Sequence, residues 1–254
     1  MINIDHDKWA NQAKNARLES VFKNFYWPAM TFSLLTLDRS TGQLGGVSAT
    51  GNLCVGGWVL RGDAQCGLSA SQGAEPSVLW GEDVLAGMKA GGNASEAVNK
   101  VTAADPRREL RQLAALDRSG CGGVFSGRQN GALVQHFVED NLVVAGNILA
   151  NDRVLTQMME GFHNGRGDLA DRLLAALRSG AKAGGDSRGL MSAAMLIVAQ
   201  DKPTLTLRVD YDEKPIDKLD SLLARTRDPA YSQWLNALPT IDRPHGVGVS
   251  KKSA

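Results

Sequence analysis

Apolar positions change their period several times along the chain, and each change marks an element. Residues 7 to 25 place Trp9, Ala13, Ala16, Val21, Phe22 and Phe25 at helical spacing, with Lys8, Lys14, Arg17, Glu19 and Lys23 between them. That pattern predicts an amphipathic helix, stopped at Pro28. From Met30 the period shortens. "MTFSLLTLD" predicts a strand and "DRSTGQ" its turn, and "LGGVSAT", "NLCVGGWVL" and "DAQCGLSASQG" predict further glycine-rich strands. Glycine inside a strand marks a bulge or a close approach of backbone or ligand. "PSVLWGEDVLAGMKAG" and "ASEAVNKVTAAD" then predict two helices. A second β block runs from "RQLAALDRSGCGGVFSG", turning over Asp117 to Gly120, through "ALVQHFVEDNLVVAGN". Two more helices are expected over "NDRVLTQMMEGFHN" and "GDLADRLLAALRSGAKAG". "LMSAAMLIVAQDKPTLTLRVD" reads as a last strand pair, with its turn at Asp201 to Pro203. "IDKLDSLLART" predicts a final helix, and the polar residues 239–254 predict a flexible tail.

Runs of strands followed by runs of helices favour antiparallel sheets with helices segregated to their faces, an α+β layered fold. The expected organisation is a helical extension over residues 1–29, one domain over 30–238, and the tail. Regular βαβ alternation is missing, which argues against a Rossmann arrangement. The sequence carries neither G-x-G-x-x-G opening a helix nor a G-K-[ST] phosphate loop, so nucleotide cofactors have no signature here.

Charge and composition narrow the classes further. A formal net charge of +1 gives no global field for nucleic acid or an anionic membrane. The three cysteines, Cys54, Cys66 and Cys121, form no C-x-x-C pair and suit a reducing compartment. His6, His136, His163 and His245 show no metal-ligand spacing, so no metal is expected. No segment has the length of a membrane span, and the N-terminus lacks the apolar core of a secretory signal. A cytoplasmic protein is the expectation.

Four stretches form a recognisable set: "MTFSLLTLD", "ADPRRELRQLAALDRSG" from Ala104, Gly146 to Leu149, and "AGGDSRGLMSAAMLIV" from Ala183. Together they resemble a bacterial family of unknown function with the fold of N-terminal-nucleophile (Ntn) hydrolases. Its members typically open with Met-Thr-Phe-Ser and carry G-G-D-x-R-G-x-x-S-A-A, the most specific of the motifs. The resemblance runs from about Met30 to about Asp210. Two features depart from the family pattern. Residues 1–30 precede the usual start, and T-G-x-x-C and W-A-G segments are replaced after Cys121 by "SGRQNGALVQHFVEDNLVVAGN".

The resemblance implies a four-layer αββα sandwich and makes Thr31 the nucleophile of an amide hydrolase. A threonine hydroxyl needs a base within hydrogen-bond reach, and a free α-amine, with a pKa of about 7.7–8.0, supplies one at the same residue. While residues 1–30 stay attached, that nitrogen is a peptide amide with no basicity. Thr31 also fits an ordinary β-branched strand residue. Ser33, two residues on, shares its face.

Asn147 is a candidate oxyanion donor or a turn residue. Asp186 and Arg188 either place a substrate or pair with each other to fix a glycine-rich turn. Gln72, Arg111 and Ser192 are further substrate-binding candidates. The expected substrate is a small metabolite amide, such as an N-acyl amino acid, short peptide or cyclic amide, cleaved without a cofactor. Two alternatives stay open: a non-catalytic binding or assembly protein that keeps its N-terminal helix, and a hydrolase with Ser33 or Ser192 as internal nucleophile. The aromatic face of Phe22, Phe25, Tyr26 and Trp27 is the expected contact of a homodimer or larger homo-oligomer.

Overall fold

The computed structural model describes residues 30–184 and 189–247. The expected N-terminal helix and its aromatic face lie outside the described residues, as do Asp186, Arg188 and the tail from residue 248. Strands β1 (Thr31–Asp38) and β2 (Gln43–Thr50) are followed by a single helical turn, α1 (Val55–Trp58), and then by β3 (Leu60–Asp63) and β4 (Gly67–Gly73). Helices α2 (Val78–Lys89) and α3 (Ala94–Ala103) precede β5 (Arg111–Asp117), β6 (Gly122–Ser126), β7 (Gln135–Glu139) and β8 (Leu142–Asn147). Then come α4 (Arg153–Asn164), α5 (Leu169–Gly184), β9 (Ser192–Val198), β10 (Leu205–Val209), α6 (Pro215–Thr226) and α7 (Pro229–Ala237).

The helix starts follow local chemistry. Ser77 caps α2 by accepting from the Trp80 N–H, and Asn93 with Glu96 closes a reciprocal capping box on α3.

The strands form two sheets, in the orders β10-β9-β2-β1-β8-β7 and β3-β4-β5-β6. Every pairing is antiparallel. Alternation along β1 assigns its faces. Phe32 and Leu34 pack toward α4, α5 and α6, in one core with Leu155, Met158, Leu173 and Leu219. Leu35 and Leu37 pack on the other face, in a second core with Leu68, Ala114, Leu116 and Val143 from both sheets. A third core holds Trp80, Val84 and Val98 of α2 and α3 against Leu113 and Ala115 of β5. The layers therefore run helices, sheet, sheet, helices, with β1 central and buried on both faces. Phe32 and Leu34 are fully buried, and each such side chain contributes about 2 kcal/mol relative to exposure.

The glycine-rich strands have a packing reason. A Cβ on Gly45 would lie 2.7 Å from Leu173 Cδ1, so its absence lets α5 settle onto β2.

Two expectations change. "NLCVGGWVL" is not one strand, because residues 55–58 close a helical turn in which the Val59 N–H reaches Val55 O at 2.9 Å. A short apolar run has too few periods to separate strand from helix. The C-terminal segment is more ordered than a polar tail predicts. Pro229 stands in the first turn of α7 and Asp228 accepts from the Ala230 N–H, a capped start that polar composition hides. Beyond it the Asp242 N–H donates to Gln200 O at 3.1 Å, and Thr240 is buried, so residues 239–247 fold back onto the domain.

Candidate active site

One row of residues crosses the larger sheet at the start of β1. Ser192 pairs with Thr50, Thr50 with Thr31, and Thr31 with Asn147. All four side chains lie on the face toward the second sheet, because they continue the alternation of Leu35, Leu44, Val143 and Leu196 in the core between the sheets. Neighbours in such a row have Cβ atoms about 4.5–5.5 Å apart. Gln72 of β4 and Gln112 of β5 face them from the opposite sheet, alternating with Ala70 and Ala114. The apolar core between the sheets thus ends in a neutral polar layer.

The bonds within that layer fix proton positions. The Thr50 hydroxyl donates to Met30 O at 2.8 Å, so its oxygen accepts from Thr31 Oγ1 at 3.0 Å. Ser33 Oγ donates to Gln72 Oε1 at 2.9 Å. Gln72 Nε2 donates to Gln112 Oε1 at 2.8 Å, and lies 3.5 Å from Thr31 O. Gln112 Nε2 in turn reaches Ser126 Oγ at 2.8 Å and the carbonyls of Gln135 and Gly146 at 3.1 and 3.3 Å. The network locks the Gln72 and Gln112 amides, and among the described residues no ionised group is in bonding contact with Thr31.

Asn147 stands apart. It is fully buried, and among the described residues neither its Oδ1 nor its Nδ2 has a hydrogen-bond partner. Buried polar groups are nearly always paired, and each unpaired one costs about 1–3 kcal/mol. The next residue, Ile148, has φ 54, a left-handed conformation that a β-branched side chain adopts at a cost of about 1–3 kcal/mol. An orphaned amide and a strained turn therefore adjoin Thr31.

The other candidates are distributed as follows. Ser192 Oγ donates to Asn52 O at 2.7 Å and accepts from the Val55 N–H at 3.1 Å, which fastens the loop after β2 beside Thr50. Among the described residues neither Ser192 nor Ser33 contacts a base. Arg111 is not brought to the others. It alternates with Gln112 and so faces the helices, bonded to Asp105 at 2.6 Å and set over the Trp80 ring. Asp186 and Arg188 lie outside the described residues.

Sequence reading missed Thr50, which only the strand register brings to Thr31. Gln112 reads from the sequence, with Arg111, as the start of a strand that could reach a substrate, and it is Gln112 that turns to this layer. Sequence reading also missed Ser126 and His136, whose Oγ and Nδ1 are 3.1 Å apart at the rim of the layer. Partial desolvation holds the His136 ring's pKa below the ordinary histidine value. Among the described residues no cluster of three or more His, Cys, Asp or Glu is arranged to hold a metal.

A model of DUF1028, a family of unknown function, matches residues 31–219. The chain belongs to the DUF1028 family. The crystal structure of a DUF1028 protein from Silicibacter pomeroyi is 42% identical, with a TM-score of 0.82 over 86% of this chain and 99% of that one. Eukaryotic HslV from Trypanosoma brucei aligns at 10% identity and a TM-score of 0.43, over 66% of this chain and 99% of that one, a likeness too slight to carry any argument. No curated protein matches the chain. The DUF1028 match begins on Thr31 itself. No helix among the described residues is long and apolar enough to cross a membrane.

Proposed function

We propose that this protein is an amide hydrolase of the Ntn type, with Thr31 as nucleophile. The observation that carries the reading is the Thr31–Asn147 pair: a hydroxyl at the first residue of the central strand, beside a buried amide with nothing bonded to it. The helix–sheet–sheet–helix order and the family match starting at residue 31 support it.

In this mechanism the Met30–Thr31 bond is broken beforehand, and the freed α-amine takes the proton of Thr31 Oγ1. The oxygen attacks the substrate carbonyl carbon, and Asn147 Nδ2 donates to the developing oxyanion. The C–N bond then breaks, the α-amine hands its proton to the leaving nitrogen, and water hydrolyses the Thr31 ester. With Met30 gone, the Thr50 hydroxyl loses its acceptor at Met30 O, donates to Thr31 Oγ1 across the same 3.0 Å and orients it, leaving the Thr31 proton to the α-amine. The substrate is a small amide, taken without a metal or organic cofactor. Asp186 and Arg188 are proposed to place it.

The test is the intact mass and N-terminal sequence of protein purified from its host, followed by an amide panel with Thr31→Ala as control. A chain starting at Thr31 and a hydrolysis lost in Thr31→Ala is the expected result. A chain that keeps Met30 and still hydrolyses amides would overturn the mechanism.

A second reading, a binding or assembly protein that keeps its N-terminal segment, has its own support. The Met30 side chain is buried in the core with Phe32, and its carbonyl accepts from Thr50 Oγ1 and from the Gly51 N–H at 3.2 Å. The joined chain is well accommodated, and this reading predicts an intact N-terminus and a tolerated Thr31→Ala.

A further inference from the structure

Among the described residues four side-chain amides are buried between and beside the sheets: Gln72, Gln112, Asn130 and Asn147, each at 0 or 1% exposure. Three are bonded at both ends. Gln72 accepts from Ser33 and donates to Gln112. Gln112 accepts from Gln72 and donates to Ser126. Asn130 accepts from the Ala74 N–H and donates to the carbonyls of Arg111 and Gly127. Asn147 has both ends open and shares a strand register with Thr31. Among the described residues no other side chain has its donor and its acceptor both buried and unpaired.

A carboxamide with both ends open is matched by a group that offers an acceptor and a donor along one edge. We infer that the site selects amides whose N–H and C=O lie on the same side, as in a lactam, a cyclic imide or a primary carboxamide, through a two-point bond to Asn147. Asn147 Nδ2 donates to the ligand carbonyl oxygen, and Asn147 Oδ1 accepts from the ligand N–H. This deepens the proposed function and rests on Thr31 and Asn147 forming one site.

The same chemistry disfavours peptides and N-acyl amino acids. A secondary amide in an open chain is trans, with its N–H and C=O on opposite edges, and its cis form accounts for well under about 0.1% of such bonds. A ring forces the cis form, and a primary amide always has one N–H beside its oxygen. With either, the carbonyl carbon beside Asn147 is in the row occupied by Thr31. Attack by Thr31 Oγ1 opens the ring or releases ammonia, and the oxygen that gains charge stays on Asn147 Nδ2.

Four small probes separate the cases by ligand-detected NMR titration of protein whose first residue has been determined: γ-butyrolactam, N-methyl-γ-butyrolactam, butyramide and N-methylpropionamide. The lactam and butyramide are expected to bind about 10- to 100-fold more tightly than the other two, because each of those leaves Asn147 Oδ1 unpaired. In Asn147→Leu, which matches the size and removes both groups, the preference is expected to vanish. Equal binding of all four, tighter binding of N-methylpropionamide, or binding of none overturns the inference. The ratio of lactam to butyramide identifies the ring or the primary amide as the better source. Turnover distinguishes this failure from failure of the nucleophile. Hydrolysis of N-methylpropionamide that needs Thr31 and shows no lactam preference removes the inference and leaves Thr31 standing. Selective binding with turnover unaffected by Thr31→Ala does the opposite.

Discussion

Thr31 Oγ1 lies 3.0 Å from Thr50 Oγ1, and the Thr50 proton is committed to the Met30 carbonyl, so the Thr31 hydroxyl is held as a donor with its own oxygen lone pairs free. This sets the first prediction. Thr50→Val keeps the β-branched shape and removes the acceptor, while Met30 O retains the Gly51 N–H. In the chain that keeps Met30, a loss of about 1–2 kcal/mol in stability is expected from the unpaired Thr31 hydroxyl. In the chain that starts at Thr31, the Thr50 hydroxyl is released from Met30 O and orients Thr31 Oγ1. There amide hydrolysis should fall at least about 10-fold, through kcat rather than KM, because the substrate itself does not touch Thr50. Steady-state kinetics beside urea denaturation checks both. An unchanged kcat would remove Thr50 from the site.

Asn147 offers a test in the opposite direction. Its two buried unpaired groups cost about 1–3 kcal/mol each, and leucine fills a similar volume without them. Asn147→Leu is therefore expected to raise the denaturation midpoint by the equivalent of about 2–6 kcal/mol while abolishing hydrolysis. A variant both stable and inactive is the signature of a residue kept for binding rather than for folding. If the variant is destabilised instead, the amide is satisfied in solution and its open state is not a site.

What the sequence made legible divides by range. The order of strands and helices followed from period changes, and the α2 and α3 starts from Ser77 and Asn93, since these are local effects. The pairing of Thr31 and Ser33 on one face followed from a two-residue spacing. The contacts around Thr31 were legible only in part. Asn147 and Gln72 stood out as polar residues beside a turn and a helix. Thr50, 19 residues from Thr31, and the bond from Ser33 to Gln72, 39 residues on, depend on a register that no local pattern carries. Arg111 and Gln112 open one strand and both could reach a substrate, yet alternation lets only Gln112 do so and turns Arg111 to the helices, where Asp105 and Trp80 hold it. Helix α7 escaped because it buries none of its residues and so has no apolar stripe.

The bonded glutamine pair predicts non-additivity. Gln72→Leu leaves Ser33 Oγ and Gln112 Oε1 without these bonds. Gln112→Leu takes the 2.8 Å bond from Gln72 Nε2, which keeps only its 3.5 Å approach to Thr31 O. It also takes the amide donor from Ser126 Oγ and from the carbonyls of Gln135 and Gly146. Each single change should cost about 2–4 kcal/mol as buried groups lose their bonds. The double variant removes both partners of the central bond, so it should cost less than the sum of the two. A coupling of about 0.5–3 kcal/mol is expected from a double-mutant cycle in urea. Additive losses would mean that the 2.8 Å contact between the two amides contributes nothing.

Asp117 ties the β5–β6 turn to α3, and its titration gives a pH dependence with a definite sign. Its Oδ1 accepts from the Ser119 N–H and hydroxyl and from the Cys121 N–H, and its Oδ2 accepts from the Ala94 N–H at 3.0 Å, at the start of α3. Burial works to raise the pKa, but the Ser119 hydroxyl and the three backbone N–H groups outweigh it, and the net shift is downward from 3.8. The unfolded chain therefore takes up the proton first. The stabilisation is complete above the ordinary aspartate value and is lost as pH falls through the lower, folded one. Asp117→Asn sets an N–H₂ group against the Ala94 N–H and is expected to cost about 1–3 kcal/mol at neutral pH. Urea midpoints of the two proteins, measured from pH 7 downward, should converge below the ordinary aspartate pKa of about 3.9. A gap that stays constant to the lowest pH would show that shape, not the carboxylate's charge, makes Asp117 matter.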